Sequence, residues 1–194
     1  MKKLINKRLV VGVSIVLFIG IIFGLIFPLF INDLDKLNIT SLVKEYITKV
    51  ELKDITFNIF LSSFTKNFII ILILCISSFI FLLFPLTLFL NFYKGFLIGF
   101  YFSSLIITLK FKGLLYGLLG IFPHEIIIIA LTIILSSISL NFNLKLYNCV
   151  KTNDNLNLRI FLKKVSIIFI ISIIICTIAS ILEIYLNTYL IHLF

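Results

Sequence analysis

Residues 113–140 read GLLYGLLGIFPHEIIIIALTIILSSISL, and Phe122-Pro123-His124-Glu125 stands in the middle of them. At about 28 residues the run is longer than the roughly 20 that carry an α-helix across a bilayer. Proline removes a backbone donor, and charge at bilayer depth needs a partner or a water-filled cavity. The reading is therefore two pieces. The first, 113–121, is expected as a half-helix or re-entrant segment. The second starts at Pro123, whose restricted φ suits the first helical position, with Glu125 near the positive end of the helix dipole. A capped helix start and a functional polar site are both open readings of Pro123, His124 and Glu125.

Composition places this segment in a membrane. Hydrophobic residues make up 61 % of the chain and charged residues 13 %, with a mean hydropathy of +1.25. Ordinary globular domains are about half apolar and a quarter charged. The 194 residues leave no room for a large soluble domain beside several spans, so residues 1–194 are read as one all-α membrane domain. The net charge of +9 does not call for nucleic acid, because the cations gather at the ends of apolar runs, where the positive-inside bias puts them. Membrane lipid is the partner they imply.

Working outward, Lys2, Lys3, Lys7 and Arg8 precede an apolar run over 9–31. It is too long for the core of a signal peptide and lacks an Ala-x-Ala-like cleavage site, so an uncleaved anchor with a cytoplasmic N-terminus is expected. Gly20 and Gly24 on it form a GxxxG that is either a packing face or a chance spacing. Residues 32–66 are polar, with acids and lysines in balance, and are expected outside the membrane. Leu34, Leu37, Val43, Ile47 and Val50 recur there at near-helical spacing, as in amphipathic helices. A second span over 67–91, kinked by Pro85, is followed by Lys94 on the inside and a short span over 95–109. Gly95, Gly99, Gly113, Gly117 and Gly120 would let other backbones approach. The basic stretch 141–164 is expected in the cytoplasm, and 165–191 forms the last of about five spans. Within it, Glu183 is a possible buried partner for His124 and Glu125.

Reactive groups are sparse. The two histidines are His124 and His192, the latter expected at the membrane interface. Cys75, Cys149 and Cys176 have no metal-ligand or disulfide spacing. HExxH, a GxSxG nucleophile, and the phosphate-cradling GxxxxGK[ST] do not occur. The reading is a non-enzyme without cofactor or metal. A transport subunit, with the broken helix at Pro123 lining a pathway, is the alternative.

The motifs Tyr93-Lys94-Gly95-Phe96-Leu97-Ile98-Gly99-Phe100, Phe111-Lys112-Gly113 and Leu119-Gly120-Ile121-Phe122-Pro123-His124 together resemble the stage II sporulation protein M family. The resemblance covers most of the membrane domain, and Pro123-His124 before an apolar helix is its most specific element. It implies a non-enzymatic component of the engulfment machinery of endospore formation. Such a component sits at the septal membrane and holds two peptidoglycan-degrading partners, stage II sporulation proteins D and P. Many members follow Pro-His with Gly and a glutamate three residues later. Here those positions are Glu125 and Ile128.

Overall fold

The computed structural model describes residues 6–51, 57–80, 83–152 and 158–191. All long elements among them are helices. Asn6 caps α1 (Lys7–Ile26) by accepting from the Arg8 N–H, and a 3-10 turn at Phe27–Leu29 carrying Pro28 ends it. Next comes α2 (Asp33–Glu51), with Asp33 and Asp35 in its first turn, where the helix dipole favours negative charge. The remaining helices are α3 (Phe57–Ser77), α4 (Phe84–Leu109), α5 (Phe111–Tyr116), α6 (Phe122–Thr152) and α7 (Leu158–Ile191). Among the described residues, five helices are long and apolar enough to cross a membrane: Lys7–Leu29, Phe60–Ser77, Phe84–Leu109, Phe122–Cys149 and Lys163–Leu186. Exposed isoleucines at 167, 171, 174, 178 and 181 form one stripe of α7, while its Ser172, Cys176, Ala179 and Ser180 are buried. Large side chains thus face the lipid region and small ones the bundle.

The expected number of spans holds, but their boundaries differ. Pro85 does not kink a second span over 67–91. It lies in the first turn of α4, where a missing N–H costs nothing, and α3 has already ended at Ser77. Lys94 therefore does not follow a span on the inside. It lies within one continuous α4 that absorbs the short span expected over 95–109. Because α3 starts at Phe57, the end of the 32–66 stretch also belongs to a span. The 141–164 stretch is largely the ends of α6 and α7. The expectation for His192 lies outside the described residues, and so do those for the side chains of Ile47 and Val50.

The helix break falls beside Pro123 and takes the form of a π turn. After α4, the chain reverses at Lys110, which has a left-handed φ of 53°. Between α5 and α6, Gly117–Ile121 is a π turn in which the Phe122 N–H reaches back to the Gly117 carbonyl. The backbone stays right-handed at both junctions, with φ −61° at Gly117 and −58° at Phe122. Widening the helix there accommodates a residue that can neither donate a hydrogen bond nor tolerate a close carbonyl one turn back.

Helices α1 and α4 form the tightest seam. A methyl group on Gly20 would collide with the Phe92 carbonyl, one on Gly24 with Phe96, one on Gly95 with Leu17, and one on Gly99 with Ile21. Residue numbers rise together on the two sides, so the helices run parallel. Phe27 closes the seam's far end with edge-on contacts to Phe96 and Phe100, at centroid distances of 5.3 and 6.0 Å. The two GxxxG spacings are two halves of one interface. Gly113 meets the Leu105 carbonyl and Gly117 the Phe102 ring in the same manner, which draws α5 onto α4.

Candidate functional site

The α1–α4 register sets the depth of Lys94. Its neighbour Gly95 faces Leu17, close to the middle of the Lys7–Leu29 span. An ammonium group therefore lies about half-way through the span, and only 5 % of the residue is exposed. Isolated charge there would be costly, and Lys94 is not isolated. Its Nζ lies 3.0 and 2.9 Å from the two carboxylate oxygens of Glu125 and donates to Asn67 Oδ1 at 3.0 Å. Such charge-assisted contacts are the ones able to offset desolvation.

The network continues through His124. Its Nε2 lies 4.0 Å from Glu125 Oε1 and 3.7 Å from Glu183 Oε2, within ion-pair reach but beyond a direct hydrogen bond. Its Nδ1 is 3.1 Å from the Gly120 carbonyl in the preceding turn. Ser63 Oγ donates to Glu183 Oε2 in a very close contact. Four helices converge here: α3 through Ser63 and Asn67, α4 through Lys94, α6 through His124 and Glu125, and α7 through Glu183. The apolar wall includes Ile71, Leu74, Ile128, Leu131 and Ala179.

Pro123 sets this arrangement up locally. It starts α6 directly after the π turn, so the next two side chains, His124 and Glu125, both enter the bundle from its first turn. The structure brings His124, Glu125 and Glu183 together, while the glycines at 95, 99 and 113 lie against the backbone of a neighbouring helix and Gly117 lies against the Phe102 ring. Gly120 is buried and supplies the carbonyl facing the His124 ring. Ile128, where the resemblance noted from the sequence would put a glutamate, is 1 % exposed in the apolar wall. The carboxylate one turn earlier, on Glu125, meets Lys94 instead.

Sequence reasoning missed Lys94, Asn67 and Ser63. A signal existed: Thr87, Asn91 and Lys94 fall at i, i+4 and i+7, one face of a helix, and Ser63 and Asn67 at i and i+4. The same α4 face carries a second, uncharged network toward the end where α4 starts. Ser77 is its hub, receiving a bond from Thr87 Oγ1 at 3.1 Å and pairing with Ser139 at 3.1 Å. Asn143 Nδ2 donates to the Ser77 carbonyl at 3.2 Å, and Asn91 Nδ2 donates to Ser136 Oγ at 2.6 Å.

The chemistry of the main cluster is electrostatic. Ser63 gives its proton to Glu183 rather than to His124, so the three do not form a serine–histidine–acid relay. Among the described residues no group of three or more His, Cys, Asp and Glu side chains is placed to hold a metal. An ammonium group already neutralises Glu125.

Five membrane-length helices around a buried ion-pair network define a multi-pass helical membrane protein. The family model for stage II sporulation protein M matches residues 13–187, nearly the whole bundle, and the chain belongs to that family. No curated protein and no solved structure matched.

Proposed function

We propose that this protein is a non-enzymatic membrane scaffold that holds peptidoglycan hydrolases at the septum during forespore engulfment. The observation that carries the reading is the family match over residues 13–187. By that family resemblance the partners are stage II sporulation proteins D and P. The topology that goes with it has a cytoplasmic N-terminus, the α2 side of the bundle extracytoplasmic and the connection between the Phe122–Cys149 and Lys163–Leu186 spans cytoplasmic. Lys7 and Arg8 at the start of α1, and Lys145, Lys151, Lys163 and Lys164 around the α6–α7 connection, support that orientation.

The fold offers a suitable contact element. Val43 on α2 is buried with Leu105 and Tyr116, and Ile39 packs beside them, so α2 lies across the ends of α4 and α5. Its other side leaves Leu34, Leu37 and Leu42 exposed. The test is co-purification of tagged full-length protein from sporulating cells, compared with the variant Leu34→Ser/Leu37→Ser/Leu42→Ser. The expected result is hydrolase recovery with the native chain and a drop of about tenfold, or ~1.4 kcal/mol, with the variant at an equal membrane level. Equal recovery with both would remove α2 as the docking element. Recovery with neither would remove the scaffold reading.

The mid-membrane ion-pair network favours a second reading, a transport subunit. Transport predicts that Lys94 and Glu125 variants lose flux in reconstituted vesicles while keeping their partners.

A further inference from the structure

We propose that the turn between α3 and α4 is a lipid-facing surface. Phe79, Ile80 and Phe84 lie among the acyl chains of the leaflet on the side where α1 starts, and the hairpin reverses without emerging into water. No charged residue stands between Lys66 and Lys94, so α3, the turn and the start of α4 share one uncharged stretch, and residues 78–84 read SFIFLLF. The α6–α7 connection is of the opposite kind, with residues 152–157 reading TNDNLN. A turn without a charge or an amide side chain suits hydrocarbon, whereas the other suits water.

The backbone is arranged accordingly. A helix leaves its last four carbonyls without intrahelical donors, and inside a bilayer water does not supply them. At the end of α3 those carbonyls belong to Leu74, Cys75, Ile76 and Ser77, and each is met from within the protein. The Leu74 carbonyl accepts from Ser77 Oγ at 2.8 Å and from Ser78 Oγ at 3.2 Å. Those of Cys75 and Ile76 accept from the N–H groups of Ser78 and Phe79 at 3.1 and 3.0 Å. The Ser77 carbonyl accepts from Asn143 Nδ2, which α6 brings across at 3.2 Å. Beyond them, the Leu83 N–H donates to the Ile80 carbonyl at 3.0 Å, and Pro85 in the first turn of α4 has no N–H to satisfy. Irregular backbone at membrane depth persists only where protein provides for it in this way. A turn in water needs no such provision.

Depth agrees. The α1–α4 register sets Phe84 level with the first turn of α1, where Lys7 and Arg8 mark the membrane boundary. Helix α6 does not stop at that level but continues from Asn143 to Thr152, about 13 Å further. The aromatic and aliphatic side chains of Phe79, Ile80 and Phe84 are exposed, as groups in contact with acyl chains would be. The uncharged network around Ser77 thereby gains a role: with Asn143 it lets a chain reversal close within the bilayer.

The chain has no tryptophan, so a single introduced one reports its own surroundings. Full-length Phe79→Trp, reconstituted in vesicles of phosphatidylcholine, is expected to be quenched by phosphatidylcholine brominated on its acyl chains. Aqueous iodide should quench it several-fold less than it quenches Lys151→Trp, at the exposed end of α6. Phe84→Trp repeats the measurement from the α4 side of the turn. Iodide quenching at either turn position as strong as that of Lys151→Trp would overturn the proposal. In the Phe79→Trp background, Asn143→Ala is expected to raise iodide quenching, because the Ser77 carbonyl is then left to water. Unchanged quenching there would refute the part given to Asn143.

Discussion

Helix α4 takes part in two interfaces built on opposite principles. Toward α1 it presents Gly95 and Gly99, and the contact is backbone against backbone, with no room for even a methyl group. Toward α3 and α6 it presents Thr87, Asn91 and Lys94, and the contact is polar side chains bonded across helices. The comparison teaches how a membrane bundle holds together without help from water. Lipid is as apolar as leucine, so association relies on close packing where side chains are absent and on mutual satisfaction where they are polar. The glycine seam fails when something is added, and the polar face fails when something is taken away.

The largest expected effect lies on the polar face. Lys94→Met leaves the Glu125 carboxylate buried without its cation, and loss of one partner of a buried pair costs about 3–5 kcal/mol. The check is thermal unfolding in detergent, read against native protein. On the seam, Gly99→Val drives a branched side chain into the Ile21 carbonyl. It should cost about 1–3 kcal/mol or more, visible as a lower unfolding temperature and as weaker cysteine cross-linking between α1 and α4. If Gly99→Val proves harmless, the parallel register used to assign Lys94 its depth is wrong as well.

Smaller effects sharpen the contrast. Asn143→Ala removes the donor to the Ser77 carbonyl and should cost about 1 kcal/mol, because that network carries no charge. Gly12 is the control glycine. Nothing lies within 4 Å of the methyl group that alanine would add there. Gly12→Ala should therefore be neutral, or stabilising by up to about 1 kcal/mol through helix propensity, in the same unfolding assay.

The sequence showed the bundle more clearly than the site. Span number and helical class follow from the length of apolar runs, which is local information. Lys94 was misplaced because charge near an apolar run usually marks its end, and its partner Glu125 is 31 residues away. Pro85 suits either a kink or a first helical turn, and only the end of α3 at Ser77 decides between them. Gly20 and Gly24 are ambiguous alone and become informative once Gly95 and Gly99 are found opposite them. His124, Glu125 and Glu183 stood out because ionisable groups are rare in such runs. The hydroxyl and amide groups that complete their surroundings did not, since Ser and Asn are too common in helices to carry a signal singly.

The most direct test of a charged core within the span is a double-mutant cycle on Lys94→Met and Glu125→Gln, read as unfolding free energies in detergent. Direct contact predicts a coupling of about 1–3 kcal/mol, with the double variant less damaged than the sum of the single ones. Additivity within about 0.5 kcal/mol would mean that the two side chains do not meet, and would contradict the buried ion pair.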